Sequence, residues 1–204
     1  MHYVAHLSKD KKLKPIIKSH DVLKLKSHKN ICLRLCASIM SQQLSTKVAD
    51  VIFARFINLF EGEEPTPEQI LKVKPEFLRS IGLSNAKVSY VHNVARFAVE
   101  RGLDSKKLNK MNNEQVIEYL TEIKGVGRWT AEMILMFTLG REDIFSADDL
   151  IIQNSIEAIY KFDKTDKKLF KEKMLQVSSK WEPYRTYACL HLWTWNDTQK
   201  KLKK

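Results

Sequence analysis

The chain has 204 residues, 44% of them hydrophobic, so it is long enough for one large domain or two small ones with a buried core. Its 35 Lys and Arg against 24 Asp and Glu give a formal charge of +11, which is typical of proteins with a phosphate-rich partner. No run reaches the roughly 18 apolar residues of a membrane span, and the three cysteines form no CxxC pair, which argues against a disulfide framework and an iron–sulfur cluster.

The first residues, MHYVAHLSKDKKLK, have no apolar stretch behind a basic start, so they do not resemble a secretion signal. We therefore predict a cytoplasmic protein, associated with the nucleoid if its source is bacterial, with no membrane partner. We also expect a monomer. The charge has a second interpretation, because a lysine-rich chain with solvated ends has the same composition.

Apolar residues recur at spacings of three and four along nearly the whole chain, a period that predicts helices and an all-α fold. Two helices are expected in ICLRLCASIM and STKVADVIFARFINLF, with Ser45 as the N-cap of the second. Thr66, Pro67 and Gln69 then form the pattern of a capping box that starts a short helix.

The middle of the chain continues the helical pattern. Gly82 predicts the end of one helix and Ser84 the N-cap of the next, in IGLSNAKVSYVHNVARFAVERG. The expected buried stripe of that helix consists of Val88, Val91, Val94, Ala95 and Ala98. NNEQVIEYLTEIKGVGRWTAEMILMFTLG then predicts two helices joined by a tight hairpin. Three more are expected in LIIQNSIEAIY, in a lysine-rich segment near residues 166–180, and in WEPYRTYACLHLWTWNDTQK.

The hairpin IKGVGRWTAEMIL places two of the chain's six glycines two positions apart. Glycine tolerates positive φ and the close approach of a ligand, so Gly125 and Gly127 can present N–H groups at the start of a helix. The helix dipole and the charge of Arg128 make a phosphate the expected occupant. The same pattern is also typical of a plain helix C-cap followed by a turn.

Four stretches, in this order, resemble the helix-hairpin-helix DNA glycosylases, most closely their 3-methyladenine DNA glycosylase II branch: SIMSQQLSTKVA, IGLSNAKVSYV, IKGVGRWTAEMIL followed by FSADDL, and WEPYRTYACLHLW. The resemblance implies one helix-hairpin-helix glycosylase domain over residues 1–204, with two helical lobes and a cleft between them. Lobe one is expected at about 31–138, including the hairpin at 123–128, and lobe two at about 1–30 plus 139–204.

In this family the hairpin grips the DNA backbone and sometimes carries a metal ion on its carbonyls. The resemblance therefore implies DNA contacts by Lys124, Gly125, Val126, Gly127, Arg128 and Ser84. It also implies a monovalent alkali ion on the carbonyls of Thr121, Ile123 and Val126. Lys124 departs from the family's usual proline and adds a charge near the phosphate.

The stretch SQQLS matches the family's loop whose side chain enters the gap left by the flipped nucleotide. Gln43 stands at the wedge position with Gln42 beside it, and an amide side chain can also bond the unpaired base. The other interpretation is a polar junction between two helices that binds nothing.

Asp149 lies 22 positions after Gly127, where the family places its catalytic aspartate. A fixed carboxylate can stabilise the positive charge that builds on the sugar when an N-glycosidic bond breaks, or orient the water that traps it. Asp148 and Asp149 are also typical of helix N-caps, and we expect Asp148 to be the structural cap. Trp129 stands where strand-nicking members carry a nucleophilic lysine, so the resemblance implies hydrolysis by water with no cofactor.

Trp129, Trp193 and Met133 match positions that line the base pocket in this branch. An indole face suits an N-alkylated purine, because such a base carries positive charge. Either tryptophan is also compatible with core packing. For Trp181 and Trp195 we expect packing in the core or on the surface, and for His191 packing in the core. Met133 and Thr194 replace tyrosines of a bacterial relative, which indicates a different base preference.

The predicted partner is double-stranded DNA with a damaged base, and the predicted function is that of a monofunctional glycosylase acting on alkylated purines in base excision repair. Two alternatives stay open. A bifunctional glycosylase and abasic lyase needs another lysine near the cleft, whereas a non-catalytic DNA-binding module uses the hairpin only to bind phosphate. The sequence does not rank the damaged bases as substrates.

Overall fold

The computed structural model describes residues 2–202, and this part of the chain contains helices and no β-strand, which confirms the all-α prediction. The helices, in chain order, are α1 His2–Leu7, α2 Lys14–Lys18, α3 Ile31–Ser41, α4 Thr46–Asn58, α5 Pro67–Lys72, α6 Pro75–Ser80, α7 Asn85–Arg101, α8 Ser105–Asn109, α9 Asn113–Thr121, α10 Arg128–Phe137, α11 Leu150–Tyr160, α12 Lys167–Ser178 and α13 Arg185–Leu202. None of these helices is long and apolar enough to cross a bilayer.

The chain divides into two compact units. The first unit comprises Met1–Lys26 and Gly140–Lys204, and the second comprises Ser27–Leu139. The hairpin between α9 and α10 therefore belongs to the second unit, and Asp149 at the start of α11 belongs to the first.

Side-chain caps define where several helices of the second unit begin, as the sequence predicts. Oγ1 of Thr66 accepts from the Gln69 N–H at 3.3 Å, and the Gln69 side chain accepts from the Thr66 N–H at 2.8 Å, which completes the capping box. Oγ of Ser84 accepts from the Lys87 N–H at 3.3 Å at the start of α7. Ser45 caps α4 in the same way.

Helix α7 packs against α3, α5 and α6 in the second unit. Four residues of its predicted stripe are buried, and Ala98 is half-buried near the end of the helix. Since one face of α7 is apolar and the other carries polar side chains, hydrophobic burial fixes which face meets α3.

The first unit is organised around α11 and α13, which pack against each other, while α2 also contacts α13. Trp181 is fully buried, and its Nε1 donates to Oδ2 of Asp10 at 3.1 Å. Tyr160 donates its hydroxyl to the same oxygen at 2.6 Å. Of the two placements that the sequence leaves open for Trp181, core and surface, the structure shows the core.

Candidate functional site

The two glycines of the hairpin have different structural roles. Gly125 has a φ of +107°, and a Cβ added to it would lie 2.3 Å from Cγ of Tyr90, so only a residue without a side chain fits there. Gly127 is the N-cap of α10 with an ordinary φ of −95° and no side-chain cap. A Cβ added to Gly127 would meet no other atom within 4 Å. The backbone at the start of α10 is therefore open to an approaching ligand.

Two further hydrogen bonds hold the turn between α9 and α10. The Val126 N–H donates to the Ile123 carbonyl at 2.9 Å. Nδ2 of Asn93, on α7, donates to the Lys124 carbonyl at 3.1 Å. A carbonyl oxygen has two lone pairs, so the bond at Ile123 is compatible with the alkali ion predicted on Thr121, Ile123 and Val126. That ion stays a prediction.

Arg128 is engaged with two carboxylates of the second unit. Its Nη1 and Nη2 donate to the two oxygens of Glu114 at 3.0 and 2.7 Å, and its Nε donates to Glu132 at 3.1 Å. The bidentate bond with Glu114 raises the pKa of Arg128 and lowers that of Glu114. The predicted DNA contact of Arg128 stays a prediction, and the neighbouring Lys124 is exposed.

Trp129 and Met133, one helical turn apart on α10, line the same cavity of about 380 Å³. Residues of α3 and α4 complete its wall, among them Arg34, Asp50 and Phe53. Trp129 is 41% exposed although it is a large apolar side chain. The volume falls within the roughly 300 to 1,000 Å³ of small-molecule pockets, so this part of the second unit has room for a small ligand.

The turn after α3 carries the predicted wedge. Gln43 is exposed and has a φ of +60°, which is uncommon for a residue with a side chain. Nζ of Lys87 donates to the carbonyls of Met40 and Gln42 at 2.9 and 2.7 Å. Partial burial lowers the pKa of Lys87. The ammonium group thus holds the last turn of α3 and the residue before Gln43.

Asp149 is the N-cap of α11 and is 7% exposed. Its Oδ1 accepts from the Ile152 N–H at 2.9 Å and from Nε1 of Trp193 at 3.1 Å. The N-terminal end of a helix favours negative charge, so the carboxylate is stabilised where it lies. The structure places two predicted site residues, Asp149 and Trp193, in direct contact.

The prediction that Asp148 caps α11 is wrong. The chain enters the helix at Asp149, whose backbone is extended with ψ of 121°, so the carboxylate of Asp149 reaches the N–H of Ile152. Asp148 lies one residue before the N-cap position. Its Oδ1 accepts a hydrogen bond from Nζ of Lys171 at 2.7 Å. Capping and catalysis are compatible roles for Asp149, because the cap fixes the carboxylate without neutralising it.

The predicted residues group by unit. The second unit contains the hairpin, the cavity of Trp129 and Met133, and the turn of Gln42 and Gln43. The first contains Asp149 and Trp193. The hydroxyl of Ser84 caps α7, and its predicted contact with DNA stays a prediction.

Three residues of α7 were missed by sequence reasoning, although each supports a predicted element. Tyr90 fills the space beside Gly125, Asn93 bonds the hairpin, and Lys87 bonds the turn before Gln43. Tyr90 and Lys87 lie within the stretch IGLSNAKVSYV, but no local pattern predicts their partners. The hydrogen bonds of Asn93 and Lys87 connect positions 31 to 47 residues apart.

Comparisons with known proteins point to one family. Residues 36–180 match the model of the HhH-GPD superfamily base excision DNA repair protein. DNA-3-methyladenine glycosylase 1 of Schizosaccharomyces pombe is 37% identical over 161 residues, which cover 78% of this chain and 69% of that protein. The putative DNA-3-methyladenine glycosylase YfjP of Bacillus subtilis is 35% identical over 169 residues, which cover 79% of this chain and 57% of that protein.

Two solved structures are similar over nearly the whole chain. The 3-methyladenine DNA glycosylase of Schizosaccharomyces pombe in complex with abasic DNA has a TM-score of 0.84 and 33% identity, covering 95% of each chain. The DNA-3-methyladenine glycosidase of Bacillus halodurans also has a TM-score of 0.84, with 34% identity over 98% of this chain and 92% of that one.

Proposed function

Because the chain belongs to the HhH-GPD superfamily of base excision DNA repair proteins, we propose that it is a monofunctional DNA glycosylase that hydrolyses the N-glycosidic bond of alkylated purines. Its substrate is double-stranded DNA with a base of the 3-methyladenine or 7-methylguanine type, and its product is an abasic site. The names of the similar proteins, 3-methyladenine DNA glycosylases, support this reaction, and one of them is solved with abasic DNA.

The carboxylate of Asp149 is the observation that carries the proposal. Breaking an N-glycosidic bond leaves positive charge on the sugar, and a fixed carboxylate stabilises that charge more than it stabilises the neutral sugar. The bonds from Ile152 and Trp193 hold the carboxylate of Asp149 in place. Asp149 therefore acts as an electrostatic stabiliser or orients the attacking water.

The start of α10 is our candidate for the contact with the DNA backbone. The first N–H groups of a helix have no partner within the helix, and the dipole favours an anion there. Gly127 has no side chain to keep a phosphate away, and the exposed Lys124 adds a positive charge three residues earlier. A DNA phosphate has the charge and the size for this position.

The cavity of Trp129 and Met133 is our candidate for the wall that receives the flipped base. The exposed indole of Trp129 offers a π face, and a base with formal positive charge is attracted to such a face. Gln43 enters the gap that the base leaves, with Gln42 beside it. We also propose that Trp193, whose Nε1 bonds Asp149 within the first unit, contacts the base.

Hydrolysis needs no cofactor in this scheme, because water is the nucleophile. Trp129 has no amine with which to form a Schiff base, in contrast to the lysine of strand-nicking relatives. We propose that the alkali ion, if bound to the carbonyls of Thr121, Ile123 and Val126, supports only the shape of the hairpin.

Replacing Asp149 by Asn tests the proposal. Asparagine is also a good N-cap, so Asp149→Asn removes the charge while the start of α11 keeps its cap. We expect base release from methylated duplex DNA to fall about a thousandfold, since a charge pair at about 4 Å is worth roughly 4 kcal/mol at an effective dielectric near 20. Single-turnover release of 3-methyladenine and 7-methylguanine, separated by chromatography, measures the loss.

Asp148→Asn is the matched control, because it removes a neighbouring exposed carboxylate that does not cap the helix. We expect this variant to release bases at the wild-type rate and Asp149→Asn to keep its affinity for DNA. Full activity in Asp149→Asn contradicts the assignment. A covalent complex trapped by borohydride on abasic DNA would indicate a lyase, and binding without any base release would indicate a non-catalytic module.

A further inference from the structure

The turn between α3 and α4 holds Gln43 in a conformation that its own sequence does not favour. Helix α3 ends at Ser41, and Gln42 follows with ψ of 130°. Gln43 then has a φ of +60° although it carries a side chain. A residue other than glycine in the left-handed region costs on the order of 1 kcal/mol or more, and it persists only where its surroundings impose it.

Lys87 supplies that constraint from another helix. Its Nζ donates to the Gln42 carbonyl at 2.7 Å and to the Met40 carbonyl at 2.9 Å. Lys87 lies in the first turn of α7, whose start is fixed by Ser84 and whose body packs against α3. A cation beside the last carbonyls of a helix is also favourable for the helix dipole.

The bond to Gln42 acts directly on the backbone of Gln43. The carbonyl of Gln42 and the N–H of Gln43 belong to the same planar peptide group. Holding the carbonyl oxygen therefore orients this plane and places the Cα of Gln43, from which its side chain departs. The second bond, to Met40, anchors the ammonium to the end of α3 so that it cannot follow the turn if the turn moves.

We propose that Lys87 is a positioning residue for base flipping, which holds the Gln42–Gln43 turn so that the Gln43 side chain can fill the gap left by the damaged nucleotide. The inference rests on the proposed function and assigns to Lys87 a role in the same site. Lys87 acts through Gln43 and does not itself touch the base. Its loss lowers the fraction of bound DNA in which the nucleotide is flipped out.

A double-mutant cycle with Gln43 tests this role. Lys87→Met removes both donors and keeps much of the side-chain volume, and Gln43→Ala removes the wedge. We expect each change to slow single-turnover release of 3-methyladenine about tenfold, and the double variant to be no more than about twofold slower than either single variant. Independent roles, such as general destabilisation, predict that the two losses multiply to about a hundredfold.

Two further variants separate positioning from charge. Lys106→Met removes an exposed lysine of α8, so it loses the same charge as Lys87→Met. It should leave the rate of base release unchanged. Lys87→Arg keeps donors for the two carbonyls and should recover most of the rate. If Lys87→Met does not fold, Lys87→Gln, which keeps one donor group, replaces it in the cycle.

The fluorescence of 2-aminopurine placed beside the damaged base reports unstacking without depending on chemistry. We expect the signal to rise with the wild-type protein and to stay low with both Lys87→Met and Gln43→Ala at saturating protein. A full rise with Lys87→Met, or multiplicative losses in the cycle, overturns the role of Lys87 while the wild type still releases methylated bases. If the wild type releases none, the proposed function fails and the inference with it.

Discussion

The side chain of His191 is 1% exposed in the interior of the first unit. Its Nδ1 lies 3.1 Å from Nδ1 of His20, and the two rings stack with centroids 5.4 Å apart. A hydrogen bond between these two nitrogens requires that one of them carries no proton. Nε2 of His191 has no hydrogen-bond partner within residues 2–202. Burial, and then the nearby His20, lower the pKa of His191 to about 4. The sequence prediction that His191 is a packed residue is confirmed.

We expect acid to destabilise the protein through this histidine. The pKa of His191 is near 6.5 in the unfolded chain and about 4 in the folded one, so the unfolded state takes up the proton first as the pH falls. The contribution to the free energy of unfolding is complete above about pH 6.5, declines between about 6.5 and 4, and amounts to about 3 kcal/mol. Urea unfolding at a series of pH values measures it.

The control for this prediction uses two substitutions. His191→Leu should show a weaker loss of stability between neutral and acidic pH, because the buried imidazole that takes up a proton is then gone. His2→Leu, at an exposed histidine, should follow the wild type. The same pH dependence in His191→Leu and in the wild type would contradict the assignment.

At the scale of elements, the hairpin between α9 and α10 assigns opposite roles to its two glycines. Gly125→Ala places a Cβ 2.3 Å from the Tyr90 ring at a φ of +107°, so the turn or the ring has to move. We expect the free energy of unfolding to fall by about 1 to 3 kcal/mol or more. Gly127→Ala meets no clash, and we expect about 1 kcal/mol or less from the poorer N-cap.

The DNA affinity of Gly127→Ala should change more than its stability does. In the proposed interface, the Cβ of Gly127→Ala stands where a phosphate approaches the first N–H groups of α10, so we expect clearly weaker binding to undamaged duplex from a folded protein. Fluorescence anisotropy gives the dissociation constant, and urea unfolding gives the stability. Unchanged DNA affinity in Gly127→Ala would remove the start of α10 from the proposed interface.

The elements that the sequence predicts well are those determined by neighbouring residues. The capping box of Thr66, the N-cap Ser84 and the apolar stripe of α7 each depend on residues within a few turns, and the structure confirms them. The short helices α1, α2 and α8 have five or six residues and were not predicted. So short a segment has too few turns for a periodic pattern, and its stability comes from tertiary packing.

The details of the site depend on contacts that the sequence does not reveal. Asp149 rather than Asp148 is the cap because of where the backbone turns into α11. Asp149 also accepts a hydrogen bond from Trp193, which lies 44 positions away in the sequence. The ion pair of Arg128 likewise needs Glu114, which lies 14 positions earlier in the sequence. Residue types and motif spacing therefore predict the candidates, whereas only the fold shows their partners.

At the scale of the whole molecule, the formal charge of +11 predicts binding to a polyanion but not where the anion binds. At the hairpin, the structure indicates which cation is available to an anion. Arg128 already bonds Glu114 and Glu132, so contact with a phosphate has to compete with those carboxylates. Lys124 lies in the turn itself and is exposed. We therefore expect Lys124, rather than Arg128, to supply the salt-dependent contact next to Gly127.

The salt dependence of DNA binding tests this expectation. Each phosphate neutralised by a lysine releases counterions, so the logarithm of the binding constant falls with the logarithm of salt concentration by about 0.9 per contact. Lys124→Ala should therefore reduce the slope for undamaged duplex by about 1, with a similar loss of affinity for every DNA sequence. Lys106→Ala removes an equal charge from α8 and should leave the slope as in the wild type. Equal slopes for the wild type and Lys124→Ala would contradict the expectation that Lys124 makes this contact.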